Sequence, residues 1–237
     1  MDERFQRTRL LIGEENFQKL QNSTVAIFGI GGVGSFTVEA LARSGVGHLI
    51  LIDKDDVDVT NINRQIHATT STVGKSKVEV MRERILEINP AAKVDVIQKF
   101  YLPADREESF FICKYDYVVD AIDTITAKIS LVVECAERKI PIVSSMGAGN
   151  KIDATKFKVA DIYKTSTDPV AKVMRKKLKE LGIKNLKVVY SDEIPQKINP
   201  GNLTGKVIGS IAFVPSVAGL ILAGEVIKDL TDWQSVK

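Results

Sequence analysis

The sequence has only two cysteines, Cys113 and Cys135, and no CxxC pair. Neither a disulfide framework nor a cysteine-built zinc site is readable, and a reducing, cytoplasmic setting is expected. The amino terminus, Met-Asp-Glu-Arg-Phe, is charged and lacks the apolar core of a signal peptide, so export is not expected. The longest apolar stretch, about 211–227, is broken by Ser216, Gly219, Gly224 and Glu225. It reads as a buried or interfacial helix, and no integral membrane span is expected. There is no internal repeat, low-complexity tract or linker, so the 237 residues, 44% hydrophobic, read as one domain, 1–237. Net charge is only +3, but between residues 151 and 187 eleven Lys and Arg face four Asp and Glu. A polyanion would be attracted there.

What is present is an alternation of short apolar runs with helical patterns. An amphipathic lead-in, about 5–20, precedes strands expected near 24–28, 48–52, 94–97, 116–119 and 141–144, with helices near 33–43, 75–88 and 125–138. This order predicts an α/β fold: a Rossmann-like, doubly wound, mostly parallel sheet. Beyond Gly149 the pattern changes to further strands near 156–159 and 187–190, a basic helix near 169–181, a mobile crossover loop at 197–205 and a final helix near 214–230. That helix is apolar on more than one side, which suits either a two-fold interface or burial against the sheet.

The chemistry concentrates where the first strand meets the first helix of the sheet. Gly29-Ile-Gly-Gly-Val-Gly34 supplies Gly29, Gly31, Gly32 and Gly34 for a tight turn and for close approach of a phosphate to backbone amides. Asp53 lies nineteen residues beyond Gly34, at a strand end where a carboxylate can accept from ribose hydroxyls. Asp55 follows in the same segment. The loop alone fits NAD as well as ATP. Asn61, Arg64 and Lys77 favour ATP, because transfer at phosphorus needs several donors to neutralise developing charge. Each has a plainer role open to it, since helix lysines are usually solvated and lone arginines usually form surface ion pairs. Asp120-Ala-Ile-Asp123 lies at the carboxyl edge of the sheet. Asp123 is the preferred Mg2+ ligand, with helix capping as its alternative role.

These marks, together with Arg4-Phe-Gln-Arg7, Thr60-Asn-Ile-Asn-Arg-Gln65 and Val73 to Lys77, resemble the ubiquitin-activating-enzyme-like superfamily, the HesA/MoeB/ThiF family. Asn61 to His67, Ser145-Met-Gly-Ala-Gly-Asn150 and Ala160 to Thr165 are most similar to its tRNA threonylcarbamoyladenosine dehydratase branch. The resemblance implies ATP and Mg2+ as cofactors, a nucleotide-binding part at about 22–150, and substrate, tRNA and dimer elements at about 151–237. It also implies a homodimer in which Arg7 reaches the partner's ATP. Asn61, Arg64 and Lys77 would contact phosphates, Asp53 the ribose and Asp123 the metal. Arg7, Asn61, Arg64, Lys77 and Asp123 are thus the expected catalytic residues. The expected reaction is ATP-dependent cyclisation of threonylcarbamoyladenosine in tRNA; the alternative is adenylation of the C-terminal glycine of a sulfur-carrier or ubiquitin-like protein.

Two departures separate these readings. The paired CxxC cysteines of the sulfur-carrier-activating relatives are missing, and a basic helix carrying Lys172, Arg175, Lys176, Lys177 and Lys179 is present. Both favour tRNA over a carrier protein, although a solvated face explains the helix equally well. A sulfur-transfer protein stands as a further possible partner. An NAD-linked oxidoreductase is disfavoured by Arg64 with Lys77, and a non-catalytic Rossmann regulator would bind nucleotide without turnover. Neither cysteine has a neighbour in sequence that would lower its pKa, so no enzyme thiol is expected in the chemistry. His67 is a candidate for substrate contact or for capping a local turn. Gly147 and Gly149 are expected to permit close backbone approach near the substrate.

Overall fold

The computed structural model describes residues 2–102, 110–199, 201 and 208–231. Two short helices, α1 (Gln6–Ile12) and α2 (Glu14–Gln21), lead into β1 (Thr24–Phe28). Then come α3 (Gly34–Arg43), β2 (His48–Ile52), α4 (Lys77–Ile88), β3 (Lys93–Ile97) and β4 (Tyr117–Asp120). The chain continues through α5 (Ile125–Arg138), β5 (Ile142–Ser145), β6 (Phe157–Asp161), α6 (Pro169–Glu180), β7 (Lys187–Ser191) and α7 (Phe213–Thr231).

The seven strands form one sheet in the order β3-β2-β1-β4-β5-β7-β6. All neighbours are parallel except β6 and β7, which pair antiparallel, Val159 opposite Val189. The order reverses between β1 and β4, which pair directly with Ile27 opposite Val119. Reversal opens a crevice at the carboxyl ends of these strands, the place where doubly wound sheets bind ligands. The fold expected from the sequence is therefore observed.

Helices cover both faces. On one, Val38 and Leu41 of α3, Met81 and Ile85 of α4, and Val214, Ala218, Leu222 and Val226 of α7 pack over Ile27, Leu49 and Val119. On the other, Ala127, Leu131 and Cys135 of α5 join Phe28, Tyr101, Phe110 and Tyr115. Burying each large apolar side chain contributes about 1.5–3 kcal/mol, so these layers are what hold the strand ends in register. The final helix is thus buried against the core, with Gly219 admitting α3 so closely that a Cβ would sit 2.2 Å from the Val33 carbonyl oxygen. Leu220 and Phe213 stay exposed.

The lead-in forms two helices: Gly13, at φ 83°, separates α1 from α2. Phe5, Phe17 and Leu20 are buried, whereas Leu10 and Leu11 are 80% and 73% exposed, so α1 presents its leucines outward. Of the expected crossover loop at 197–205, position 200 and positions 202–205 lie outside the described residues. Among the described residues, no helix is long and apolar enough to cross a membrane.

Candidate active site

The glycine loop leaves β1 at the switch point, and its glycines divide into two kinds. Gly29, at φ 90°, lies where a Cβ would meet the Ala121 carbonyl oxygen at 2.6 Å. At Gly34 a Cβ would meet the Gly29 oxygen at 1.8 Å. Both are demanded by the turn itself, whatever binds there. At Gly31 a Cβ would find nothing nearer than Gln65 Nε2 at 3.9 Å, so its surface is left open for a ligand. Gly32 is bounded by Pro215 Cβ at 3.2 Å and Arg64 Cγ at 3.4 Å.

Asp53 ties this loop to the end of β2. Its Oδ2 accepts from the Ile30 N–H at 2.6 Å and its Oδ1 from the Asp55 N–H at 2.9 Å. Burial is the larger influence and raises its carboxyl above the usual range, against these donors and the charge of Lys77.

Lys77 opens α4 and is 5% exposed. A short antiparallel contact delivers it: Val57 N–H donates to the Lys75 oxygen at 2.8 Å, and the Lys77 N–H to the Asp55 oxygen at 3.1 Å. Its Nζ lies 3.0 Å from Asp55 Oδ2. Asp55, placed among nucleotide ligands by the sequence, is here the counter-ion of Lys77. A buried ammonium without a counter-charge would be costly, and Asp55 supplies one.

Asn61 and Arg64 sit in the turn after Asp58. Asn61 is 8% exposed; its Oδ1 accepts from the Asp58 N–H at 3.1 Å, and its Nδ2 has no partner among the described residues. Arg64 Nη1 donates to the Thr60 oxygen at 2.8 Å and to Asn63 Oδ1 at 2.9 Å, which ties the guanidinium to its own turn, while the side-chain stem passes Gly32.

The two aspartates after β4 have different environments. Asp120 is fully buried, pairs with Lys128 at 3.0 Å, and accepts from the Ile122 N–H at 3.1 Å and from the Ser144 hydroxyl. Asp123 is exposed and accepts only from the Thr124 hydroxyl at 3.2 Å among the described residues. It does not cap α5, whose N-cap residue is Thr124.

A model of the ThiF family matches residues 5–237. The chain belongs to the ThiF family. It is 53% identical over 239 aligned positions to the tRNA threonylcarbamoyladenosine dehydratase of Bacillus subtilis (strain 168), across 95% of this chain and 94% of that one. A crystal structure of the E. coli tRNA N6-threonylcarbamoyladenosine dehydratase in complex with ATP superposes with a TM-score of 0.89 at 38% identity, over 97% of this chain and 94% of that one. A structure of the same E. coli protein with AMP superposes equally well.

Within this ThiF-family chain, then, the glycine loop, Asp53, Asp55, Asn61, Arg64 and Lys77 come together, and Asp123 stands at the same sheet edge. Arg7 does not join them: it is exposed on α1 and has no ion pair or hydrogen bond among the described residues. The close approaches at Gly147 and Gly149 are made by the chain itself, by Val170 and Ile208 respectively.

Three buried polar residues lie near the site, of which only Lys128 escaped the sequence reading. Gln65 Oε1 is buried without a partner among the described residues, and its Nε2 lies nearest Gly31. His67 is 2% exposed and neither ring nitrogen has a partner among the described residues, so its side chain does not cap the local turn. Burial, then the charges of Lys77 and Arg84, hold its pKa down at about 4. Lys128 is 1% exposed, and besides Asp120 its Nζ holds the Ile122 oxygen at 3.0 Å, which fixes the backbone leading to Asp123. Burial raises the thiol pKa of both Cys113 and Cys135, which leaves neither activated as a nucleophile.

Proposed function

We propose that this chain cyclises threonylcarbamoyladenosine in tRNA, using ATP to activate the carboxylate of the nucleoside. The observation that carries the reading is the pairing of full-length similarity to a tRNA threonylcarbamoyladenosine dehydratase with a glycine loop flanked by Arg64 and the buried Lys77.

The chemistry suits such a site. A carboxylate resists nucleophiles because of its charge and its poor oxide leaving group, and transfer of a phosphorus group from ATP removes both obstacles. The neighbouring carbamoyl group then attacks the activated carbonyl carbon. The carboxylate oxygen departs with the activating group, and the net change in the nucleoside is loss of one water. Because nucleophile and electrophile belong to one molecule, closure is effectively unimolecular. No enzyme thiol is needed, in keeping with the unactivated cysteines.

Arg64, Lys77 and the Asn61 amide face the phosphates and stabilise charge as it develops there. Asp53 uses its remaining lone pairs for the ribose. The residues fit Mg2+: Asp123 offers an exposed carboxylate with one weak partner, and the described residues hold no cluster of three His, Cys, Asp or Glu. That suits an ion bound by a carboxylate, phosphate oxygens and water, and the ion would supply charge neutralisation. Arg7, exposed and unengaged, reaches the nucleotide of a second copy in a homodimer. The whole chain, 1–237, acts as one domain in the cytoplasm, where tRNA is modified. A sulfur-transfer protein is a further partner that the superfamily resemblance admits.

The test is ATP consumption by purified protein offered either tRNA bearing threonylcarbamoyladenosine or a carrier protein ending in glycine. Consumption with the tRNA alone is expected. Consumption with the carrier protein alone would replace this reading with carrier-protein adenylation.

A further inference from the structure

The basic residues near the C-terminal part are not equivalent. Arg175 Nη1 donates to the Thr165 carbonyl at 2.7 Å and to the Thr165 hydroxyl, so it braces the turn before α6. Lys177 pairs with Glu180 at 2.9 Å. Lys151 is buried against Asp168 at 2.6 Å. Lys158 and Lys187 pair with Asp192 and Asp229. By contrast Lys172, Lys176 and Lys179 are exposed and have no ion pair or hydrogen bond among the described residues.

Their spacing of four and three residues puts these lysines on one stripe of α6. Ala171, Met174 and Leu178 are buried on the other side. At 1.5 Å per residue the stripe extends about 10 Å. Arg175 draws the turn that ends at Thr165 alongside the helix, and the exposed Lys164 lies in that turn.

The stripe also starts in a defined place. Asp168 caps α6 by accepting from the Ala171 N–H at 3.0 Å, and its partner Lys151 donates to the Gly147 oxygen at 2.6 Å. Gly147 lies just beyond the carboxyl end of β5. Since α6 leads into β7, which is parallel to β5, the helix begins at the sheet edge that carries the site and runs away from it.

We infer that Lys172, Lys176 and Lys179, with Lys164, form the surface that grips the sugar-phosphate backbone of the tRNA, and that Arg175 and Lys177 do not. The inference rests on the tRNA reading above and adds where the polyanion lies: its modified nucleoside at the sheet edge, its flanking phosphates along α6. Phosphate contacts of this kind position the nucleic acid without reading its sequence.

The experiment measures tRNA binding against salt concentration for three proteins: wild type, the triple variant Lys172→Gln, Lys176→Gln, Lys179→Gln, and the control Lys177→Gln. Each lysine that neutralises one phosphate contributes about 0.7–0.9 to the slope of log affinity against log salt. The triple variant should lose about 2–3 from that slope and, at 50 mM salt, about tenfold in affinity per lysine. The control should match wild type, and KM for ATP should stay unchanged in all three. Wild-type affinity and slope in a triple variant whose melting temperature is intact would overturn the surface while leaving the functional reading standing. Equal losses in the control would overturn it too. A wild-type protein that fails to bind tRNA would overturn both.

Discussion

Replacing His67 by Gln should remove a specific acid sensitivity from this protein. The imidazole is buried, its nitrogens lack partners, and its pKa falls from 6.5 to about 4. In the unfolded chain His67 takes up its proton near pH 6.5, whereas the folded protein refuses it until about pH 4. The unfolded state therefore binds more protons in this window, and stability is complete above it and falls as pH drops through it. At about 1.4 kcal/mol per pH unit, the loss amounts to roughly 3 kcal/mol by pH 4 and then stops growing. Denaturant unfolding of wild type and variant from pH 7.5 to 4 measures it. The other titrating groups are common to both proteins and cancel in the difference, so the gap between the two curves should change by about 3 kcal/mol in favour of the variant at acid pH. Parallel curves would refute the argument, and would mean that His67 finds a proton acceptor in the folded protein.

Lys77→Met should lower ATP-dependent turnover by about two to three orders of magnitude while costing about 1 kcal/mol or less in unfolding free energy, since Asp55 is half exposed and can be solvated. Wild-type turnover in the folded variant would remove Lys77 from the chemistry. Lys128→Met should cost far more stability, about 3–5 kcal/mol, because it strands the fully buried Asp120; an unchanged denaturation midpoint would contradict the pairing. Cys113→Ser and Cys135→Ala should each retain turnover, and a loss in a properly folded variant would bring a thiol into the mechanism. Arg7→Ala and Lys77→Met proteins, each inactive alone, should regain part of the activity when mixed, and failure after demonstrated subunit exchange would place Arg7 outside a shared site.

The sheet could be read from sequence because its signals are local. Thr24 to Phe28 and His48 to Ile52 are short apolar runs ending in Gly29 and Asp53, and both are buried strands in the sheet. The glycine loop, Asp53, Arg64 and Lys77 stand out in the sequence for the same reason, since residue type and spacing alone mark them as candidates. What escaped depends on partners distant in the chain. Lys128 and Lys151 look like ordinary surface lysines until Asp120 and Asp168 are brought beside them. Arg175 looks like its basic neighbours until Thr165 captures it. The pairing of Asp55 with Lys77 likewise depends on the antiparallel contact with the start of α4. Leu10 and Leu11 fit an amphipathic pattern, yet both are exposed on α1, which ends at Gly13.

The central claim is the reaction itself. Purified protein would be incubated with tRNA carrying uncyclised threonylcarbamoyladenosine, with and without Mg2+ and ATP, and the digested nucleosides weighed by mass spectrometry. A nucleoside lighter by one water is expected, formed only when ATP is present and absent with Lys77→Met. An unchanged nucleoside, from protein that binds both ATP and the intact tRNA, would contradict it.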